Sequence, residues 1–198
     1  MEMPRDTLAP LSDDALLVLY ANGDRDAARD LTNRLAPRVM AYAMRVLNDR
    51  SEAEDVAQEA MLRLWRIAPQ WRQGEAQVTT WLFRVATNLA TDRLRKRIRR
   101  RAATLDDAPE VADDQPGAVQ SLIETDRMAA LHNALAQLPE RQRQAVILRH
   151  IEGLPNPEIA EILGVGVEAV ESLTARGKRS LAAILAGRRE ELGYEDEA

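Results

Sequence analysis

Apolar residues recur along this chain at spacings of three and four and hardly anywhere at spacings of two, a pattern that predicts helices and almost no strand. Ser12 to Tyr20 reads as a short helix with Ser12 as N-cap, and Asp24 to Leu47 as a longer one with Pro37 as its breaking point. From Ser51 to Ile67 the pattern is clear. Ser51 and Glu54 have the spacing of a capping box, and Val56, Ala60, Leu64 and Ile67 lie along one stripe. The next helix starts at Thr79 or Thr80 and runs to about Arg101. Further helices are predicted at 121–135, 139–151, 155–163 and 167–186, with Pro139 suited to a first turn.

The stretch from Thr104 to Gln120 holds Asp106, Asp107, Pro109, Asp113, Asp114, Pro116 and Gly117, with few large apolar residues. It reads as a flexible acidic linker. At roughly 3.3 Å per residue, about 17 residues reach up to about 55 Å, more than the roughly 35 Å of one duplex turn. The expected fold is therefore all-α: two small helical domains at 12–102 and 121–187, joined by the linker at 103–120 and followed by an acidic tail at 188–198.

Composition narrows the function classes. There is no cysteine, which excludes disulfides, thiolate zinc sites and cysteine nucleophiles. Met1 to Leu11 lacks the basic-then-apolar pattern of a signal peptide, and no apolar run is long enough for a membrane span, so a cytoplasmic protein is expected. The two histidines, His132 and His150, each fall on a predicted helix with no carboxylate constellation around them, and no phosphate-cradling glycine loop or metal-ligand spacing occurs. The expectation is of no enzyme, no cofactor and no metal.

The net charge of −5 argues against nucleic acid only if it is spread evenly, and it is not. Residues 1–102 carry 18 basic and 14 acidic side chains, and residues 122–189 carry 9 basic and 8 acidic, whereas 103–121 and 190–198 carry five acids each and no base. The negative charge sits in the linker and the tail. Arg93, Arg95, Lys96, Arg97, Arg99, Arg100 and Arg101 put seven cations into nine residues, with Leu94 and Ile98 expected to anchor that helix end. A solvated helix C-terminus explains such a run; a nucleic-acid contact explains it better. Just upstream lie Trp65, Trp71, Trp81 and Phe83. Trp65 belongs to the apolar stripe. Trp81 and Phe83 stand open between core and base stacking, and Trp71 lies in a polar loop where burial is less natural.

The sharpest local signal runs from Asn156 to Leu173. With Asn156 as position one, Ile159, Leu163, Val165, Val170 and Leu173 fall at the core positions of a helix-turn-helix, Ala160 at the close crossing and Gly164 at the left-handed turn. The second helix then presents Glu168, Ala169, Glu171, Ser172 and Ala175 outward, with Arg176, Lys178 and Arg179 near its far end for phosphates. Glu168 and Glu171 repel phosphate, yet a carboxylate accepts from cytosine N4.

Three stretches together resemble the extracytoplasmic-function sigma factors of the sigma-70 superfamily. Ser51 to Trp65 (SEAEDVAQEAMLRLW) resembles their region 2.2, and Thr80 to Arg95 (TWLFRVATNLATDRLR) their regions 2.3 and 2.4. Leu138 to Arg149 (LPERQRQAVILR), followed by the helix-turn-helix, resembles region 4. The resemblance spans about residues 14–186. It implies that 12–102 is region 2, docking on the clamp helices of the largest subunit of RNA polymerase through Asp55, Gln58 and Glu59, with Glu54 nearby. It implies reading and melting of the −10 element by the loop from Gln70 and the helix from Thr80, with Trp71, Trp81, Asn88, Asp92, Arg95, Lys96 and Arg99 as candidate contacts. Region 4, 121–187, would bind the β-subunit flap and place the second helix of its helix-turn-helix in the −35 major groove. An anti-sigma factor is the implied antagonist. The chain departs from many relatives in carrying Glu171-Ser-Leu173 where they carry Lys-Ser-Arg, and in Pro155 and Pro157 ahead of the motif. The competing reading is a helix-turn-helix regulator that never joins polymerase.

Overall fold

Side-chain caps set the helix starts in the first half of the chain. The computed structural model describes residues 11–72, 74, 76–103 and 119–186, and every α or 3-10 element among them is helical. Ser12 accepts from the Ala15 amide and opens α1 (Asp13–Ala21). Asp24 accepts from the Asp26 and Ala27 amides and opens α2 (Arg25–Leu47). Asp49 accepts from the Glu52 amide at 3.0 Å and opens α3 (Arg50–Ile67). The expected capping box is thus corrected. Ser51 lies inside the helix, and Glu54 pairs with Arg50 instead. An Asx cap two residues upstream won because it binds the first free amides without help from a second side chain.

Pro37 does not break α2, contrary to expectation. Its ring faces outward, while Leu31, Leu35, Val39, Tyr42, Ala43 and Val46 are buried on the opposite side. Burial of six such side chains, at about 1.5–3 kcal/mol for each large one, outweighs the roughly 3 kcal/mol that an internal proline costs. Asn48 then ends the helix in the left-handed conformation at φ 50°.

A 3-10 turn (Ala68–Gln70) leads to the loop before α4 (Val78–Ala103). Phe83 is fully buried, edge-on to Tyr42 with centroids 5.4 Å apart, so its open assignment resolves to core. The Tyr42 hydroxyl shares a 2.7 Å hydrogen bond with Thr87, and burial pushes this phenol well above its usual range. Ile98, expected to anchor the basic end of α4, is instead 65% exposed. The helix has by then run past the core, and nothing remains for that side chain to pack on.

The second half comprises α5 (Val119–Ala136), α6 (Glu140–Val146), α7 (Asn156–Leu163) and α8 (Val167–Ala186). The helix expected at 139–151 widens into a π-helical turn at Ile147–Ile151, closed by Glu152 N–H to the Ile147 carbonyl at 3.0 Å. Of the expected linker at 103–120 only the ends are described, where Ala103 closes α4 and Val119 opens α5; the tail at 188–198 lies outside the described residues.

Gly177 lies where α8 crosses α6. A Cβ there would stand 2.6 Å from Val146 Cγ2 and 3.1 Å from the Gln142 carbonyl. Overpacking of this kind costs about 1–3 kcal/mol or more. Gly177→Leu is therefore expected to lower Tm by about 5–10 °C, at roughly 2–4 °C per kcal/mol for a chain of this size. Gly166→Ala, where a Cβ meets open space, is expected to move Tm by under about 2 °C. Thermal unfolding followed by circular dichroism checks both, and equal shifts would refute the packing argument.

The two helical regions touch along a seam. One contiguous hydrophobic cluster contains Leu31, Tyr42 and Phe83 from the first half and Leu135, Ile147 and Ile159 from the second. The seam also carries polar pairs: Arg38 with Glu152 at 3.2 Å, Thr80 with Glu158 at 2.6 Å, and Thr91 with Glu140 at 2.7 Å. A seam built on threonine and arginine has the same hydropathy pattern as a solvated face, so periodicity could not announce it.

Candidate nucleic-acid interface

Helix α4 presents four faces. Leu82, Phe83, Ala86 and Ala90 point into the core. Thr80, Arg84 and Thr91 meet the second half of the chain. Leu89 and Lys96 line a groove shared with Asp55, Gln58, Glu59 and Leu62 of α3. The remaining stripe carries Trp81, Val85, Asn88, Asp92, Arg95 and Arg99 at helical spacing, and all but Trp81 and Val85 are exposed. At 1.5 Å per residue this ridge is about 27 Å long.

The predicted −10 residues Asn88, Asp92, Arg95 and Arg99 therefore lie on one line, with Lys96 beside them toward the groove. Two cations of the run do not belong to this surface. Arg93 turns back to Asp55 at 3.4 Å. Arg97 donates to the Leu47 carbonyl, Asp49 and Glu52 at 3.1–3.3 Å. Both staple α4 to α3, which corrects the expectation that every cation in the run points outward.

Trp71 is docked instead of standing free in a polar loop. Its indole N–H donates to Asp14 at 3.3 Å, and its ring meets Trp81 edge-on with centroids 6.2 Å apart. Asp14 also accepts from the Val78 amide at 3.3 Å, and Asp13 accepts from the Thr79 hydroxyl at 3.2 Å. The two carboxylates of α1 thus cap α4 and hold an aromatic corner at the head of the ridge. Sequence reasoning missed Asp13 and Asp14 as positioning residues, because two acids in a first turn look like ordinary helix-dipole partners. Trp65 packs against Tyr20, with centroids 4.7 Å apart, as a core-side residue.

The predicted polymerase-binding residues divide. Asp55, Gln58 and Glu59 line the α3–α4 groove, facing Asp92, Lys96 and Arg93. Glu54 is exposed but does not line it. A hydrogen bond from Arg63 at 2.8 Å holds the Glu59 carboxyl below its usual range, with Arg66 and Arg93 adding to the effect. The groove is thus of mixed charge: Glu52, Asp55 and Glu59 with Arg63 on α3, and Arg93, Lys96, Arg97 and Arg100 with Asp92 on α4.

In the second half the helix-turn-helix is formed by α7 and α8. Gly164 holds φ 63° and ψ 43°, and Val165 N–H closes on the Ala160 carbonyl at 3.0 Å. Ile159, Ala160, Leu163 and Val170 are buried as the spacing required. Arg141 from α6 donates to the Leu163 carbonyl at 2.7 Å and so caps α7. Glu168, Ala169, Glu171, Ala175, Arg176, Lys178 and Arg179 are exposed along α8, and Ser172 is partly covered by the Arg176 guanidinium at 3.1 Å. Glu171 accepts from the Asn156 amide at 3.4 Å. Leu173 packs against the core, which removes it from the reading face. Partial burial, then Lys178 and Arg149, hold His150 below its usual value.

These features define a two-part helical nucleic-acid-binding protein, with a cationic ridge in one half and a helix-turn-helix in the other. Residues 31–100 match the family model for sigma-70 region 2, and residues 128–181 that for sigma-70 region 4. The chain is 35% identical over 173 residues to the ECF RNA polymerase sigma factor SigE of Mycolicibacterium smegmatis, an alignment covering 85% of this chain and 66% of that protein. It is 34% identical over 174 residues to the ECF RNA polymerase sigma factor SigM of Mycobacterium tuberculosis, covering 88% of this chain and 85% of that one. Among solved structures, the complex of the sigma factor RpoE with the anti-sigma factor NepR from Bartonella quintana matches in fold with a TM-score of 0.65 at 21% identity, covering 82% of this chain and 98% of that one. The chain belongs to the ECF RNA polymerase sigma factors. Among the described residues no helix is long and apolar enough to cross a membrane.

Proposed function

We propose that the chain joins core RNA polymerase in the cytoplasm and directs it to specific promoters, with 12–102 acting as region 2 and 121–187 as region 4. The observation that carries this reading is α4 itself. One helix offers a mixed-charge groove on one side and, on the next, a ridge of Asn88, Asp92, Arg95 and Arg99 headed by an indole pair. A protein that only grips duplex DNA has no use for both. The groove suits a partner helix bearing arginines opposite Asp55 and Glu59, which is the part assigned to the polymerase clamp helices. The ridge suits a separated strand, with phosphates on Arg95, Lys96 and Arg99 and bases near Trp71 and Trp81. Asn88 and Asp92 supply hydrogen bonds to base edges. An anti-sigma factor is the expected antagonist, and the flap of the β subunit the expected partner of region 4.

Purified chain added to core polymerase is expected to start transcription at discrete positions on genomic DNA. Absence of any discrete start, together with failure to copurify with core, would leave the regulator that acts alone as the better account.

The second half is proposed to read the −35 element with the outer face of α8. The first turns of a recognition helix meet base edges, and here they carry Glu168 and Glu171 and no cation before Arg176. A carboxylate accepts from cytosine N4, while glutamine pairs with adenine. Glu171→Gln is expected to change the ratio of cytosine to adenine at one −35 position about tenfold among transcripts from a randomised promoter library. An unchanged base profile would remove Glu171 from the reading set.

A further inference from the structure

We propose that α1 belongs to the strand-capture apparatus: Asp14 is a positioning residue that fixes the Trp71 indole against Trp81 and so keeps an aromatic corner ready for an unpaired base. The proposal rests on the promoter reading above. It extends that reading to a helix that precedes residues 31–100, the part matched to sigma-70 region 2.

One oxygen atom makes the connection. Asp14 Oδ1 accepts from the Trp71 indole N–H and from the Val78 amide, each at 3.3 Å. Those donors sit at the two ends of the loop that links the 3-10 turn to α4. A single acceptor thus closes the loop and joins its first side chain to the first turn of the ridge helix. Capping alone does not call for this arrangement. The residue just before a helix ordinarily supplies the cap, and a short polar side chain there is enough. Here Gln77 stands in that place, and the oxygen comes from 64 positions upstream. What the distant acid adds is its hold on the indole.

The platform beneath Asp14 is rigid. Leu16 and Leu17 are buried on one side of α1. The neighbouring Asp13 is tied in two directions, to the Thr79 hydroxyl at 3.2 Å and to Arg34 of α2 at 3.5 Å. Arg34 also donates to the Leu11 carbonyl at 2.6 Å, just ahead of the helix. The two acids therefore divide the work. Asp13 staples α1 to α2 and α4, and Asp14 holds the indole.

An indole has one polar atom, a donor at its edge. A bond to that atom sets the turn of the ring and leaves its faces for stacking. Trp71 and Trp81 lie at 85° to each other with centroids 6.2 Å apart, so a flat base laid on one ring meets the other at a right angle. With Trp71 already fixed, binding does not have to order it, which favours affinity through preorganisation. Without Asp14 the ring turns freely and its ordering opposes binding.

A double-variant cycle read on holoenzyme tests this. Asp14→Ala is expected to lower affinity for a −10 single strand about tenfold, equally at low and high salt, because no phosphate contact is lost. Trp71→Phe keeps a ring and removes the indole N–H. In that background Asp14→Ala is expected to lower strand affinity less than about twofold, since no indole remains for the carboxylate to hold. The Val78 cap is lost in both backgrounds alike, so any fall in Tm is expected to be the same in both. Adding Gln77→Ser to Asp14→Ala returns a local cap to α4 and leaves the indole unheld. It is expected to recover Tm and to leave strand affinity about tenfold down, compared with Gln77→Ser alone. Equal strand losses in the two backgrounds, or recovery of strand affinity together with Tm, would overturn the positioning role and leave the promoter reading intact. If holoenzyme made with the parent chain binds no single strand, the promoter reading itself fails and the positioning role falls with it.

Discussion

Asp55→Arg is expected to weaken binding to core polymerase by about 30-fold or more and to leave Tm within about 2 °C of the parent chain. The two halves of this expectation come from different places. Asp55 lines the α3–α4 groove beside Gln58 and Glu59, and its carboxylate is 64% exposed even with Arg93 at 3.4 Å. An ion pair that exposed contributes at most about 1 kcal/mol to folding, so reversal costs the isolated chain little. At an interface the same change removes a hydrogen-bonded charge pair and places like charges together, which costs about 2–5 kcal/mol, and each 1.4 kcal/mol is about tenfold in affinity. Glu54 supplies the control. It belonged to the predicted docking set, but its carboxylate stands outside the groove and pairs with Arg50 at 2.9 Å. Glu54→Arg is expected to change affinity less than about threefold. Titration of labelled core with each variant distinguishes them, and equal losses at both positions would mean that the docking surface is the whole outer face of α3 and not the groove.

That contrast shows what the sequence could and could not carry. Helix type and extent were legible because α2, α3 and the helix-turn-helix bury regular stripes, and the left-handed Gly164 left no other role for its position. The exposed residues of the ridge were legible because charge in a helix that also holds Leu82, Ala86 and Ala90 must go to the remaining faces. What could not be read were relations between distant residues of ordinary type. Asp14 is an unremarkable first-turn acid until its partner Trp71 is seen 57 positions away. Arg93 and Arg97 are chemically identical to Arg95 and Arg99, and only their angle around α4 makes them staples to α3. The seam escaped for the same reason, since Thr80, Thr91 and Glu158 carry no apolar signal. Gly177 escaped because a helical glycine in a sequence gives no sign of whether another helix crosses there.

Arg95→Ala/Lys96→Ala/Arg99→Ala should lose strand binding in a way that salt itself diagnoses. Three phosphate contacts on a single strand contribute about 0.7 each to the slope of log affinity against log salt, so the triple variant is expected to have a slope shallower by about 2. Since that contribution vanishes near 1 M, affinity at 0.1 M is expected to fall about 100-fold and the deficit to close as salt rises. These three side chains are exposed and have no hydrogen bond or ion pair among the described residues, so Tm should hold, unlike the result expected for Arg97, which bridges two carboxylates and a carbonyl. Trp81→Ala makes the opposite signature. Stacking on an indole contributes about 1–3 kcal/mol per base and involves no counterion, so its loss of roughly 5- to 150-fold should persist at every salt concentration. Fluorescence anisotropy of a single strand from a transcribed −10 region, bound by holoenzyme across a salt series, reads both. Parallel salt plots for the triple variant and the parent would place those cations outside the strand path, and a Trp81→Ala deficit that disappears at high salt would mean that the indole supports the ridge and touches no base.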